Sequence, residues 1–239
     1  MGLDTRSDRP NERASLSALI LKGLIKTVAS ILIWGAALLL SAGRLDWPMA
    51  WAYMGVVLIN LVVMSLIMDP ELLAERSGIG EGAKKWDIFF AFYVARIGPL
   101  AMLIVAGLDR RSRWSAEVPF AWQGVALVAV VLGMALGDWA VLANRFFAPV
   151  VRIQKERGQT VVTGGPYRFV RHPGYAASLL HYIAAPFMLG ALWALIPAGL
   201  IWVVIIIRTA LEDRTLQEEL EGYKDYTRRV RYRLLPGVW

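Results

Sequence analysis

The chain has 239 residues, 57% of them hydrophobic, with a mean hydropathy of +0.49 and a formal charge of +7. A soluble domain is nearer half apolar, and the 26 Lys and Arg are spread between apolar runs rather than gathered in one basic stripe, which argues against a nucleic-acid surface. Without cysteine there is no disulfide, thiolate metal site or cysteine nucleophile.

Residues 1–15 are charged and read as a cytosolic tail. Leu16–Gly43 is the first apolar segment. Its charged start resembles a signal peptide, but no small-x-small cleavage pattern follows, so an uncleaved span is expected, with Lys22 and Lys26 snorkelling to the interface. Trp47–Met68 carries no charge and is long enough to cross a hydrocarbon core of about 30 Å. Ile88–Leu108 carries only Arg96, and Val118–Gly137 is uncharged with Asp138 just beyond. Residues 16–143 are therefore expected to form a four-helix membrane region.

Pro173–Ile207 is again free of formal charge, with one histidine, His181. As a single helix it would extend roughly 50 Å, which is too long for one crossing. It is slightly short for two. A short helical hairpin over 173–207, turning near Gly190-Ala191 with Pro186 and Pro197 loosening its arms, is the best compromise. Leu211, Leu216, Leu220 and Tyr223 then suggest an amphipathic cytosolic helix over 208–230. The predicted fold class is all-α and polytopic, with about six transmembrane helices. No glycine-rich dinucleotide fingerprint occurs, so no Rossmann domain is expected.

Six crossings place both termini on one side. That side collects 21 Lys and Arg against four on the other, with Arg96 inside a span. The positive-inside rule makes both termini cytoplasmic. Arg96 and Asp138 then fall in the cytoplasmic halves of neighbouring spans and are expected to pair, because an unpartnered charge is costly there. His181 is expected to be a buried, hydrogen-bonded histidine, and two His with no Cys make a zinc site improbable, so no metal ligands are assigned.

The unusual chemistry lies on the cytosolic face, in residues 144–239. TGGPYRFVRHPGY (163–175) combines a Gly-Gly-Pro turn with a His172-Pro173 step where a helix can start, since proline suits the first helical position. His172 would act like a cap, beside free backbone N–H groups able to receive a carboxylate or phosphate. On the residues alone the segment reads first as a basic loop touching lipid headgroups. Arg208 and Glu212, i and i+4 where the last span ends, read first as an ordinary helical salt bridge.

In order, VVTGGPYRFVRHPGY, a short hairpin, RTALEDRTL and GYKDYTRRVRYRLLPGVW resemble the isoprenylcysteine carboxyl methyltransferase family of integral membrane methyltransferases. The resemblance covers Asn144–Trp239. It implies that Gly165, Tyr167, His172, Pro173 and Tyr175 help enclose S-adenosylmethionine, and that Arg208 and Glu212 match the family's Arg-x-x-x-Glu at the catalytic end. Two positions depart from the pattern. Gln159 stands where relatives often carry His, and Asp213 where eukaryotic relatives have a second Glu.

The implied function is methyl transfer at the membrane–cytosol boundary onto a lipophilic or prenylated acceptor, with a prenylcysteine-type carboxylate leading and a lipid amine or small thiol as the alternative. Arg208 would orient the acceptor, and Glu212 would either hold Arg208 or accept a proton. Two rival classes remain: a sterol-reductase-like NADPH oxidoreductase and a non-catalytic protein binding anionic membrane lipid.

Overall fold

The computed structural model describes residues 28–76 and 78–239, all of whose regular structure is helical. The expected tail and the start of the first span, with Lys22 and Lys26, lie outside the described residues. Helices α1 (Val28–Ala42) and α2 (Pro48–Ile67) are followed by the short α3 (Pro70–Arg76). Helices α4 (Lys85–Phe92) and α5 (Gly98–Ser112) form one run through a π-helical turn, Tyr93–Ile97. Then come α6 (Phe120–Leu142), α7 (Pro173–Leu189), α8 (Leu195–Glu219) and α9 (Tyr223–Arg229).

Among the described residues four runs are long and apolar enough to cross a membrane: Pro48–Ile67, Lys85–Ser112, Phe120–Leu142 and Leu192–Glu219. Their outer faces expose large apolar side chains, among them Leu66, Phe120, Leu132 and Val203. Water would penalise so much apolar exposure, whereas lipid does not. The inner faces pack small residues with large ones, Ala50, Ala106 and Ala185 against Leu38, Met102 and Met188.

Local sequence sets the ends of α7. Pro173 occupies its first turn, and the His172 carbonyl accepts the first helical bonds from the Tyr175 and Ala176 N–H groups at 3.1 Å. The imidazole of His172 makes no capping bond, so its capping role is confined to the backbone. Gly190, left-handed at φ +64°, ends the helix by donating to the Phe187 and Pro186 carbonyls. A single 3₁₀ turn, Leu192–Ala194, leads into α8, so the chain reverses within a few residues of Gly190.

Helices α6 and α7 approach most closely at Gly133. A Cβ there would lie 3.1 Å from the His181 N and 3.2 Å from the Ala177 O. Gly137, one turn later, faces the Ala177 methyl. Small residues four apart let two helix backbones meet, as in other apolar helix pairs.

Two expectations are corrected here. Helix α8 carries the last apolar run straight on to Glu219, so no separate amphipathic helix spans 208–230. The chain breaks at Leu220–Gly222 because Leu220, Tyr223 and Tyr226 turn inward to pack on Ile153 and Val161 of the 143–172 segment. Arg96 and Asp138 do not pair. The Arg96 Nη1 donates to the Ser30 Oγ at 2.9 Å and its guanidinium lies over Trp34, whereas Asp138 accepts from Asn60. The extra residue of the π turn rotates successive side chains relative to an α-helix, and Arg96 sits within that turn, facing α1.

Candidate active site

At the end of the bundle that carries the 143–172 segment lies a cavity of about 500 Å³. Its outer wall is polar and aromatic, with Tyr167, His172, Tyr175, Glu212 and Tyr223. Its inner end runs between α4–α5, α6 and α7 and is lined by small residues, including Ala91, Ala95, Gly133, Gly137 and Ala177. The π turn contributes to this inner wall through Val94, whose carbonyl accepts from the Tyr182 hydroxyl at 3.2 Å.

Of the seven residues singled out from sequence, five line this cavity: Tyr167, His172, Tyr175, Arg208 and Glu212. The other two shape the chain around it. Gly165 has φ +57°, and a Cβ there would sit 3.0 Å from the Ala143 Cβ, so it keeps the 3₁₀ turn Gly165–Arg168 against α6. Pro173 is buried at the start of α7.

The expected i,i+4 bridge between Arg208 and Glu212 is absent. Arg208 instead forms a two-pronged pair with Asp87 on α4, Nε to Oδ1 at 2.6 Å and Nη2 to Oδ2 at 2.8 Å, and Nη2 also donates to the Pro149 carbonyl. Asp87 is fully buried and its Oδ2 accepts a further bond from the Val151 N–H at 2.6 Å. A planar guanidinium matches two carboxylate oxygens in one plane, which an i,i+4 neighbour on the same helix presents less readily. Glu212 is held by another residue: the Tyr175 hydroxyl donates to its Oε2 at 2.5 Å. Tyr175 also stacks on His172 and lies under the Arg208 guanidinium, 5.3 Å from ring to charge.

Asp213, one residue beyond Glu212 on α8, is fully buried. It receives Arg171 through Nε at 2.7 Å and Nη2 at 3.0 Å, Arg233 at 2.9 Å, the Tyr223 hydroxyl at 3.2 Å and the His172 Nε2 at 3.2 Å. The Arg171 and His172 N–H groups donate to the Tyr232 and Arg233 carbonyls, strapping the tail across the foot of α7. Burial first, and then the carboxylates of Asp213 and Glu212, push the Tyr223 phenol well above its ordinary pKa. Burial does the same for Tyr167, so both rings stay neutral hydroxyl groups at physiological pH.

His181 contributes its Nε2 to a 3.2 Å bond with the Tyr53 hydroxyl, while its Nδ1 has no partner among the described residues. Gln159 lines the cavity and accepts from the Gln154 N–H. No group of three or more acidic or histidine side chains able to hold a metal occurs among the described residues. Asp87 and Arg76, another cavity residue, were missed in the sequence. Asp87 had a visible signal: a lone acid opening an apolar span that otherwise carries only Arg96, separated from Lys84-Lys85 by Trp86.

An all-helical membrane protein with a cavity lined by both polar and small apolar residues is the class that fold and site define. Residues 121–221, from α6 through α8, match the phospholipid methyltransferase family. The chain is also similar to a probable protein-S-isoprenylcysteine O-methyltransferase of Oryza sativa subsp. indica, 39% identical over 66 residues, which are 27% of this chain and 35% of the relative. A third similarity is to protein-S-isoprenylcysteine O-methyltransferase B of Arabidopsis thaliana, 29% identical over 107 residues, 44% of this chain and 54% of the relative. The chain thus spans from about a third to about half the length of the curated relatives it matches. The resemblance to isoprenylcysteine carboxyl methyltransferases is met again in the two curated relatives, and the family match overlaps its motifs over residues 144–221.

Proposed function

We propose that this protein is an S-adenosylmethionine-dependent methyltransferase that modifies a lipophilic acceptor at the membrane–cytosol boundary, with a prenylcysteine-type carboxylate as the leading acceptor. The observation that carries the reading is the cavity's mixed lining: polar and aromatic groups stand beside small apolar ones, so a polar donor and an apolar acceptor can share one space. Its size falls within the range of about 300–1,000 Å³ typical of small-molecule sites. The donor fits the residues present. Tyr167 and Tyr223 offer aromatic rings to a cationic sulfonium, with the Glu212 carboxylate on the same wall. Bound S-adenosylmethionine supplies an electrophilic methyl group. The uneven distribution of Lys and Arg supports a cytosolic mouth.

The protein's own part is positioning and exclusion of water. Asp87 and Pro149 fix the Arg208 guanidinium, leaving its Nη1 to orient the acceptor's reacting oxygen. Glu212 does not hold Arg208. Anchored by Tyr175, it is placed to take a proton from an acceptor that arrives protonated. A carboxylate acceptor is already nucleophilic and needs no such base.

The test is incubation of purified protein in lipid extract with methyl-labelled donor, followed by mass spectrometry of the labelled species. Label in a base-labile ester of a prenylcysteine supports the reading. Label in a lipid amine or small thiol keeps the methyltransferase and replaces the acceptor. Thermal stabilisation by NADPH with none by S-adenosylhomocysteine would sink it.

A further inference from the structure

Four arginines line the cavity: Arg76, Arg152, Arg171 and Arg208. Three are already neutralised. Arg152 is held by Glu75 and Glu156 and by the Glu81 carbonyl. Arg171 is held by Asp213 and two tail carbonyls, and Arg208 by Asp87. Arg76, at the end of α3, has no hydrogen bond or ion pair among the described residues. Its one ring contact is with Phe147, whose face lies 5.1 Å from the guanidinium carbon. A ring against one face of a guanidinium leaves the in-plane N–H donors unspent.

Asp138 is near enough to Arg76 to be felt electrostatically, but it is not within ion-pair reach and its Oδ2 is occupied by Asn60. Burial pulls the Arg76 pKa below the ordinary guanidinium value, countered by Asp138 and Tyr167. The guanidinium is partly buried and its N–H donors open onto the cavity, where a ligand's carboxylate can meet them.

We propose that Arg76 is the carboxylate-binding residue of this cavity. The proposal rests on the methyltransferase reading, which brings two carboxylates into the space: the amino-acid end of the donor and the acid of a prenylcysteine acceptor. A two-pronged guanidinium–carboxylate contact is the shared chemistry for both.

The experiment compares wild type, Arg76→Met and Arg76→Lys in detergent by calorimetry. The ligands are S-adenosylhomocysteine, 5′-methylthioadenosine (which lacks the amino-acid carboxylate), N-acetyl-S-farnesylcysteine and its carboxamide. Arg76→Met is expected to weaken one acid by about ten- to a hundredfold, with Arg76→Lys restoring part of it. Loss for S-adenosylhomocysteine but not methylthioadenosine assigns the donor carboxylate. Loss for the farnesylcysteine acid but not its carboxamide assigns the acceptor's. Unchanged affinity for both acids overturns the proposal, as does equal loss for the two ligands without a carboxylate. A wild type that binds no S-adenosylhomocysteine overturns the functional reading as well. Wild-type binding matched by both variants removes Arg76 alone. Should Arg76→Met fail to fold, Arg76→Lys decides: its single-point ammonium weakens binding of one acid relative to the two-pronged guanidinium, and equal affinity for both acids overturns the assignment.

Discussion

Arg208 on α8 reaches across the bundle to Asp87 on α4 and forms both prongs of a guanidinium–carboxylate pair, at 2.6 and 2.8 Å, although Glu212 lies one turn away on its own helix. The pair ties α8 to α4 and also fixes the loop at 149–151, since Pro149 and Val151 bond to the same two side chains. It is buried on both sides.

Removing one partner of such a pair strands the other charge. Asp87→Ala is expected to cost about 3–5 kcal/mol, visible as a fall in the detergent melting temperature. It should also abolish methyl transfer, because Arg208 loses its orientation. The double variant Asp87→Ala/Arg208→Met should recover stability but not activity. A double variant that loses the sum of what Asp87→Ala and Arg208→Met lose separately would show that the pair is not coupled.

Asp213 gathers two arginines, a histidine and a tyrosine on one buried carboxylate. Asp213→Asn keeps the shape and removes the charge that holds Arg171 and Arg233 together. Limited proteolysis should then cut the chain beyond Glu219 faster than in wild type, and binding of S-adenosylhomocysteine should weaken in parallel. If the tail stays protected, the strap is held without the Asp213 charge, by the backbone bonds of Arg171 and His172 and by the Arg171 guanidinium on the Val230 and Arg231 carbonyls.

Glu212→Gln separates its two possible roles. The amide can still accept the Tyr175 hydroxyl bond but cannot take a proton. With a carboxylate acceptor the variant should keep kcat within a few-fold. With an amine or thiol acceptor kcat should fall by about 10²–10⁴. Steady-state kinetics on each acceptor class reads the difference directly.

The contact of α6 with α7 predicts unequal effects at two glycines. A Cβ at Gly133 would press on the His181 and Ala177 backbone, so Gly133→Ala should destabilise by about 1–3 kcal/mol. At Gly137 the nearest atom is the Ala177 Cβ at 3.6 Å, an ordinary contact. Gly137→Ala should therefore be neutral or stabilise the helix by up to about 1 kcal/mol. Thermal denaturation of the two variants side by side tests the asymmetry.

Composition and periodicity were enough for the helical class, the apolar runs and the reversal at Gly190, because each depends on chain length, charge and one left-handed residue. The order of motifs from Asn144 onward likewise located most of one wall of the cavity: Tyr167, His172 and Tyr175 stand close in sequence, and Glu212 follows on the returning helix. What neighbours in sequence could not reveal was who neutralises whom. Arg208 is four residues from Glu212 yet pairs with Asp87, 121 positions away. Arg96 and Asp138 share no bond although both lie in apolar spans, and Asp213, which stands where eukaryotic relatives have a second Glu, holds the tail. Helix azimuth decides such pairings, and azimuth follows from features that only packing settles: the π turn at Tyr93–Ile97, the Gly133 contact and the inward fold of Leu220, Tyr223 and Tyr226. The sequence by itself determined which charges this protein carries into its apolar bundle; only the tertiary structure decided which of them are cancelled, and that Arg76 is not.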